Sequence, residues 1–93
     1  MIKNLNSLRK QIDQVDKQLI ELLAKRNTIV KKVGSTKQTL GLQPLDVSRW
    51  QEVLSTRMLW GKEIGLDPNF IKEIMEVVHQ QSIEIEEEIC HKQ

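Results

Sequence analysis

A single cysteine, Cys90, in 93 residues excludes an internal disulfide and a thiolate zinc site. Two histidines, His79 and His91, are too few and lack the paired spacing of a metal centre, and a surface position is the reading for each. No metal centre is expected. Aromatic residues make up 3% of the chain, with no tyrosine, which leaves almost nothing for nucleic-acid bases to stack on. No one sign of charge dominates. Lys and Arg total 14 against 13 Asp and Glu, and a net charge of +1 supplies no bulk field for nucleic acid or a membrane surface. No stretch approaches the roughly 20 apolar residues of a membrane span, and the first ten residues lack the apolar core of a signal peptide. The expectation is a cytoplasmic protein that binds neither membrane nor nucleic acid. With 4 glycines and 2 prolines, and both prolines between periodic segments, little interrupts long helices.

Helix formers (Leu, Lys, Glu, Gln, Ile) dominate what is present, so the fold class is all-α. From Leu5, apolar residues recur at Leu8, Ile12, Val15, Leu19, Leu22, Ile29 and Val33 in helical steps. The one missing step falls on Arg26. A helix that buries this stripe carries a guanidinium inward, where an unpaired charge is very costly. Arginine grips carboxylate or phosphate in a two-pronged hydrogen bond, so an anionic partner is expected. Lys37, about three turns further on, projects from nearly the same face. Two long cations on one inner face point to a pocket for a small anion.

The first helix is expected from about Asn4 to Gly34 or on through Lys37, with Asn4, Asn6 or Ser7 as its cap. A break follows at Leu40-Gly41-Leu42-Gln43-Pro44. Asp46 or Ser48 opens a second helix carrying Val47, Trp50, Val53, Leu54, Met58 and Ile64, and Gly65 ends it. The third begins with Asp67 as N-cap and Pro68 at its first position, and its stripe runs through Phe70, Ile71, Ile74, Val77, Val78, Ile85 and Ile89. Ser82 interrupts that stripe, and Glu86 follows one turn later on the same face. A first helix of about 33 residues would be roughly 50 Å long, against a radius of gyration near 13 Å for a compact domain of about this size. Such a helix overhangs anything the rest of the chain can cover. Residues 1–93 are therefore expected to form one domain, a three-helix subunit with a long N-terminal helix that pairs with a second copy in an intertwined homodimer. A plain coiled coil is the alternative, although a polar break in every seam argues against a simple zipper.

Apart from Arg26, each polar candidate has an ordinary reading beside the functional one. Arg9 can pair with Asp13 at i+4 on a solvated face, and Arg49 can be a surface residue at a helix start. Lys37 can be an exposed lysine, Ser82 a small residue that allows close packing, and Glu86 one member of the solvated run Glu84, Glu86, Glu87, Glu88.

The segments Leu8-Arg9-Lys10-Gln11-Ile12-Asp13-Gln14-Val15-Asp16, Leu22-Leu23-Ala24-Lys25-Arg26 and Val33-Gly34-Ser35-Thr36-Lys37 resemble the all-helical (AroQ-class, type II) chorismate mutase family. The resemblance continues through Pro44, Arg49-Trp50-Gln51-Glu52-Val53-Leu54, Gly65-Leu66-Asp67 and Ser82-Ile83-Glu84-Ile85-Glu86, so it covers nearly the whole chain. It implies an intertwined dimer with two equivalent sites that convert chorismate to prephenate in one step, without metal or cofactor. By the same resemblance, Arg26 grips a substrate carboxylate and Arg9 reaches in from the other subunit. Lys37 contacts the ether oxygen and a carboxylate, Asp46 and Arg49 line or brace the pocket, Ser82 lies near the substrate, and Glu86 donates to the ether oxygen opposite Lys37. The family also implies either a free-standing protein or a module that can be fused to another shikimate-pathway enzyme.

Two positions depart from the family pattern. Many relatives carry glutamine where Glu86 stands, and a carboxyl group donates only when protonated. Activity that falls as pH climbs through neutrality is therefore expected. Where the family usually has a glutamate that accepts from the substrate's ring hydroxyl, this chain has Trp50, which packs over the ring or belongs to the core. An indole donates one hydrogen bond and accepts none, and Glu52, about 200° around the helix, does not take over. Two other readings stay open: an isochorismate pyruvate lyase on the same fold, and a non-catalytic helical module that binds a partner or a metabolite.

Overall fold

The computed structural model describes residues 2–91 and is built of three helices, α1 (Ile2–Leu40), α2 (Val47–Glu63) and α3 (Pro68–His91). The ends of the expected domain, residues 1, 92 and 93, lie outside the described residues. α3 packs against both α1 and α2. At 39 residues α1 is longer than expected and accounts for the 59 Å long axis of the molecule; the radius of gyration is 17.0 Å. Asn4, Asn6 and Ser7 do not cap α1, because the helix already includes them. Once a helix is nucleated, each further residue adds a hydrogen bond at little cost, and nothing in Lys3-Asn4-Leu5 forces a stop. None of the helices among the described residues is long and apolar enough to cross a membrane.

Glycine ends the first two helices by the same device. Gly41 (φ 69°) and Gly65 (φ 86°) adopt the left-handed conformation that a side chain disfavours. Leu42 N–H donates back to the Lys37 carbonyl at 2.9 Å, and Leu66 N–H to the Gly61 carbonyl at 2.8 Å. These are Schellman closures, which satisfy carbonyls that the helix end would leave open. At the other ends, the Asp46 carboxylate accepts from Arg49 N–H at 3.0 Å, and Asp67 accepts from Asn69 N–H at 2.9 Å. Both aspartates are N-caps, and Pro68 occupies the first position of α3.

Very little of the chain is interior. Among the described residues the buried apolar side chains are Val30, Val53 and Pro44, joined by the buried polar pair Ser82 and Glu86. Along the first half of α1 the stripe lies open, with Leu8 49%, Ile12 58% and Leu19 56% exposed. Opposing helices come close at two glycines. A Cβ on Gly34 would sit 3.3 Å from the Glu86 Cα, and one on Gly61 would sit 2.6 Å from the Ile71 Cγ1. Ile71 is branched at Cβ and cannot swing that carbon away freely. Gly61→Ala is therefore expected to destabilise the fold by about 1–2 kcal/mol, the strain exceeding the gain in helix propensity. Urea midpoints at equal protein concentration measure this, and a variant at or above the wild-type midpoint would show that α2 and α3 are free to part.

Candidate active site

Arg26, Val30, Val33 and Lys37 recur on one face of α1 and line a cavity of about 260 Å³. α2 contributes Arg49, Trp50, Val53 and Arg57 behind its cap Asp46, and α3 contributes His79, Ser82, Ile83 and Glu86. Within each set most steps are three or four residues, so each helix gives the cavity one face.

Lys37 reaches back across the α1–α2 turn. Its ammonium donates to the Pro44 carbonyl at 2.5 Å and stands 2.7 Å from Glu86 Oε1. This ion-pair contact is not aligned as a hydrogen bond, and Glu86 Oε1 is buried without a donor. The ammonium at this distance offsets the cost of burying the carboxylate charge. Glu84, Glu87 and Glu88 are exposed, so burial sets Glu86 apart from the run.

Arg26 Nη1 donates to Ser82 Oγ, and that hydroxyl donates in turn to the Val78 carbonyl at 2.9 Å. Ser82 is thus a fully used hydroxyl that aims a guanidinium. Burial holds Arg26 below its ordinary pKa, the positive charge of Arg57 adds to the effect, and Glu86 opposes it. An anion entering the cavity would offset both by pairing with the guanidinium.

The Trp50 indole stacks on the His79 imidazole with ring centroids 3.9 Å apart and planes 18° from parallel. Trp50 is therefore half-buried in the cavity wall, against another ring. The surface reading of His79 does not hold; its position three residues before Ser82 and seven before Glu86 turns it into the same cavity. His91, in the last turn of α3, is exposed. Burial, and after it Arg26 and Lys37, lower the His79 pKa from 6.5, against the pull of Glu86.

Comparison with known proteins decides what this arrangement belongs to. The family model for chorismate mutase type II matches residues 8–87. The chain belongs to the type II chorismate mutase family. It is 37% identical over 82 residues to the T-protein of Enterobacter agglomerans, covering 88% of this chain and 22% of that one. It is 31% identical over 78 residues to the chorismate mutase of Methanocaldococcus jannaschii, covering 84% and 79%. Identity to the bifunctional chorismate mutase/prephenate dehydratase of Escherichia coli (strain K12) is 27% over 77 residues, covering 83% and 20%. The chain thus spans about a fifth of the length of the T-protein and the bifunctional relative, and most of the Methanocaldococcus protein.

Of the residues that resemblance to type II chorismate mutases assigns, Arg26, Lys37, Ser82 and Glu86 meet in the cavity. Asp46 and Arg49 stand at its rim; the Asp46 carboxylate is engaged as the α2 cap, and Arg49 Nη1 lies 2.5 Å from Glu52 Oε1 in an exposed pair. Arg9 is not brought in. It is exposed on α1, about 25 Å along the helix from Arg26. Sequence reasoning missed Arg57 and His79, although the spacing of Trp50, Val53 and Arg57 carried the signal for the first.

Because the folded chain keeps His79 neutral, the unfolded chain binds more protons as pH falls through about 6.5, and stability is lost from that point downward. His79→Phe keeps a ring on Trp50 and removes the titration. Between pH 7 and 5 the thermal midpoint of this variant is expected to fall less than that of wild type. Parallel curves would mean that His79 does not report on the cavity cations.

Proposed function

We propose that this chain is a chorismate mutase, which rearranges chorismate to prephenate in aromatic amino acid biosynthesis, and that it works as a homodimer. The observation that carries the reading is the convergence of Arg26, Lys37, Ser82 and Glu86 on one cavity, in a chain of this family. The relatives named chorismate mutase support it. The protein acts alone or as a module joined to another shikimate-pathway enzyme, a reading favoured by relatives that also carry a prephenate dehydratase.

Chorismate is a dianion whose reactive conformer folds its enolpyruvyl arm over the ring. Arg26 would hold one carboxylate, with Ser82 fixing the angle of the guanidinium. Holding the two ends of a flexible reactant in place can contribute several kcal/mol to the rate. As the C–O bond breaks, negative charge grows on the ether oxygen. Lys37 and Glu86, in contact in the free protein, would part to donate to that atom from opposite sides and bind it more tightly in the transition state than in the substrate. Glu86 donates only when protonated, so the rate is expected to rise toward acidic pH.

The second copy supplies what one chain lacks. The open stripe of α1 needs a cover, and only another molecule can bring Arg9 beside Arg26. Asp46 and Arg49 would brace the pocket mouth.

Loss of chorismate absorbance from pH 5 to 8, with the product identified, tests the reading. Prephenate should form faster at acidic pH, and Glu86→Gln should flatten the profile. A mutant profile parallel to wild type would remove Glu86 from its role. No consumption of chorismate at any pH would end the mutase reading, and pyruvate released from isochorismate instead would identify a lyase. Arg9→Ala and Arg26→Ala are each expected to lose about 100- to 1000-fold in activity. Mixed and allowed to exchange subunits, the two inactive variants should recover about a quarter of wild-type activity, because half the dimers are mixed and each rebuilds one of two sites. No recovery despite exchange would place Arg9 outside the partner's site.

A further inference from the structure

The cavity charges do not cancel, and the remainder has a definite location. Lys37 faces Glu86 and Arg49 faces Glu52, while Asp46 caps α2 at the rim and keeps its charge there. The lining cations without an acid partner are Arg26 and Arg57. Both are half-buried, both line the cavity, and neither has a carboxylate within ion-pair distance among the described residues. Arg57 spends one donor on the neighbouring Thr56 hydroxyl at 3.0 Å and lies over the Trp60 ring, 4.6 Å from its centroid. Neither contact neutralises it; both hold a long side chain in one orientation. The two guanidiniums are close enough for the charge of Arg57 to disfavour the charged form of Arg26.

We propose that Arg57 is a substrate-binding residue which, with Arg26, clamps one carboxylate of the dianionic ligand from within a single protomer. The proposal rests on the mutase reading for the identity of that dianion, but not for the clamp. A pair of like charges around an empty space is unfavourable without an anion and favourable with one, so much of the attraction for ligand comes from repulsion already present. Arginine suits the position because its planar fork meets a carboxylate with two parallel hydrogen bonds.

A carboxylate bound alike in substrate and transition state affects KM rather than kcat. Arg57→Ala should therefore raise KM for chorismate about 10- to 100-fold and change kcat less than about threefold. Arg57→Lys should recover part of the loss, since it restores the charge but not the fork. Arg57→Gln is the second neutral variant should alanine disturb α2, and circular dichroism confirms folding of each. The clamp is also read without turnover: succinate, at constant ionic strength, should raise the thermal midpoint of wild type and leave Arg26→Ala and Arg57→Ala unmoved. If wild type leaves chorismate untouched while this pattern holds, the mutase reading fails and the clamp stands. An unchanged KM in folded Arg57→Ala and Arg57→Gln, or equal stabilisation of all three proteins by succinate, overturns the proposal. So does a variant that falls to monomers in sedimentation yet keeps its KM once concentrated, which would make Arg57 a contact between subunits.

Discussion

Where α3 lies against α1, Gly34 presents only a hydrogen atom, and the meeting of Lys37 with Glu86 and of Arg26 with Ser82 depends on that closeness. A methyl group there would meet the Glu86 backbone and the end of Ile89. With the space left open, Glu86 sinks beside Lys37 and Ser82 comes within reach of Arg26. The Cys90 thiol rests on the Gly34 carbonyl at the same crossing. A glycine inside a helix costs about 1 kcal/mol in propensity. Here that local cost accompanies a close approach of two helices whose polar side chains then face each other.

The cavity is held in a chain that buries almost nothing apolar. Its two buried valines, Val30 and Val53, both lie beneath the charged groups. Stability and site assembly are therefore concerns of the same contacts. The large apolar area left open on α1 is far more than an isolated soluble molecule would expose. In the reading developed above, a second copy covers that area and delivers Arg9, so one association both stabilises the helices and completes the binding site.

Charge balance explains why the cavity suits an anion better than an ordinary salt-bridge network would. Exposed pairs such as Arg49–Glu52 contribute little, because water already solvates both partners. Arg26 and Arg57 are in the opposite condition. They are partly removed from water, directed by Ser82, Thr56 and Trp60 rather than by acids, and set against one another. The neutral stack of Trp50 on His79 closes the wall without adding negative charge.

The helices and their ends were legible in the amino-acid order because they depend on local rules: three- and four-residue apolar steps, Asp46 and Asp67 as caps, and Gly41 and Gly65 as stops. Arg26 stood out for the same reason, as a charge in an apolar step; helical spacing put Lys37 on its face and Ser82 and Glu86 together on another, and family resemblance added a role for each. The start of α1 was misjudged because a capping residue signals a boundary only where the chain stops being helical, and here it does not. The alignment of the helices was decided by tertiary structure alone. Which glutamate of four is buried, that His79 turns inward to meet Trp50, and that Arg57 shares a cavity with Arg26 all depend on how three stripes are rotated against one another. Periodicity fixes the faces of a helix to within one turn, but a charge interacts over a few ångströms, and only packing resolves that distance.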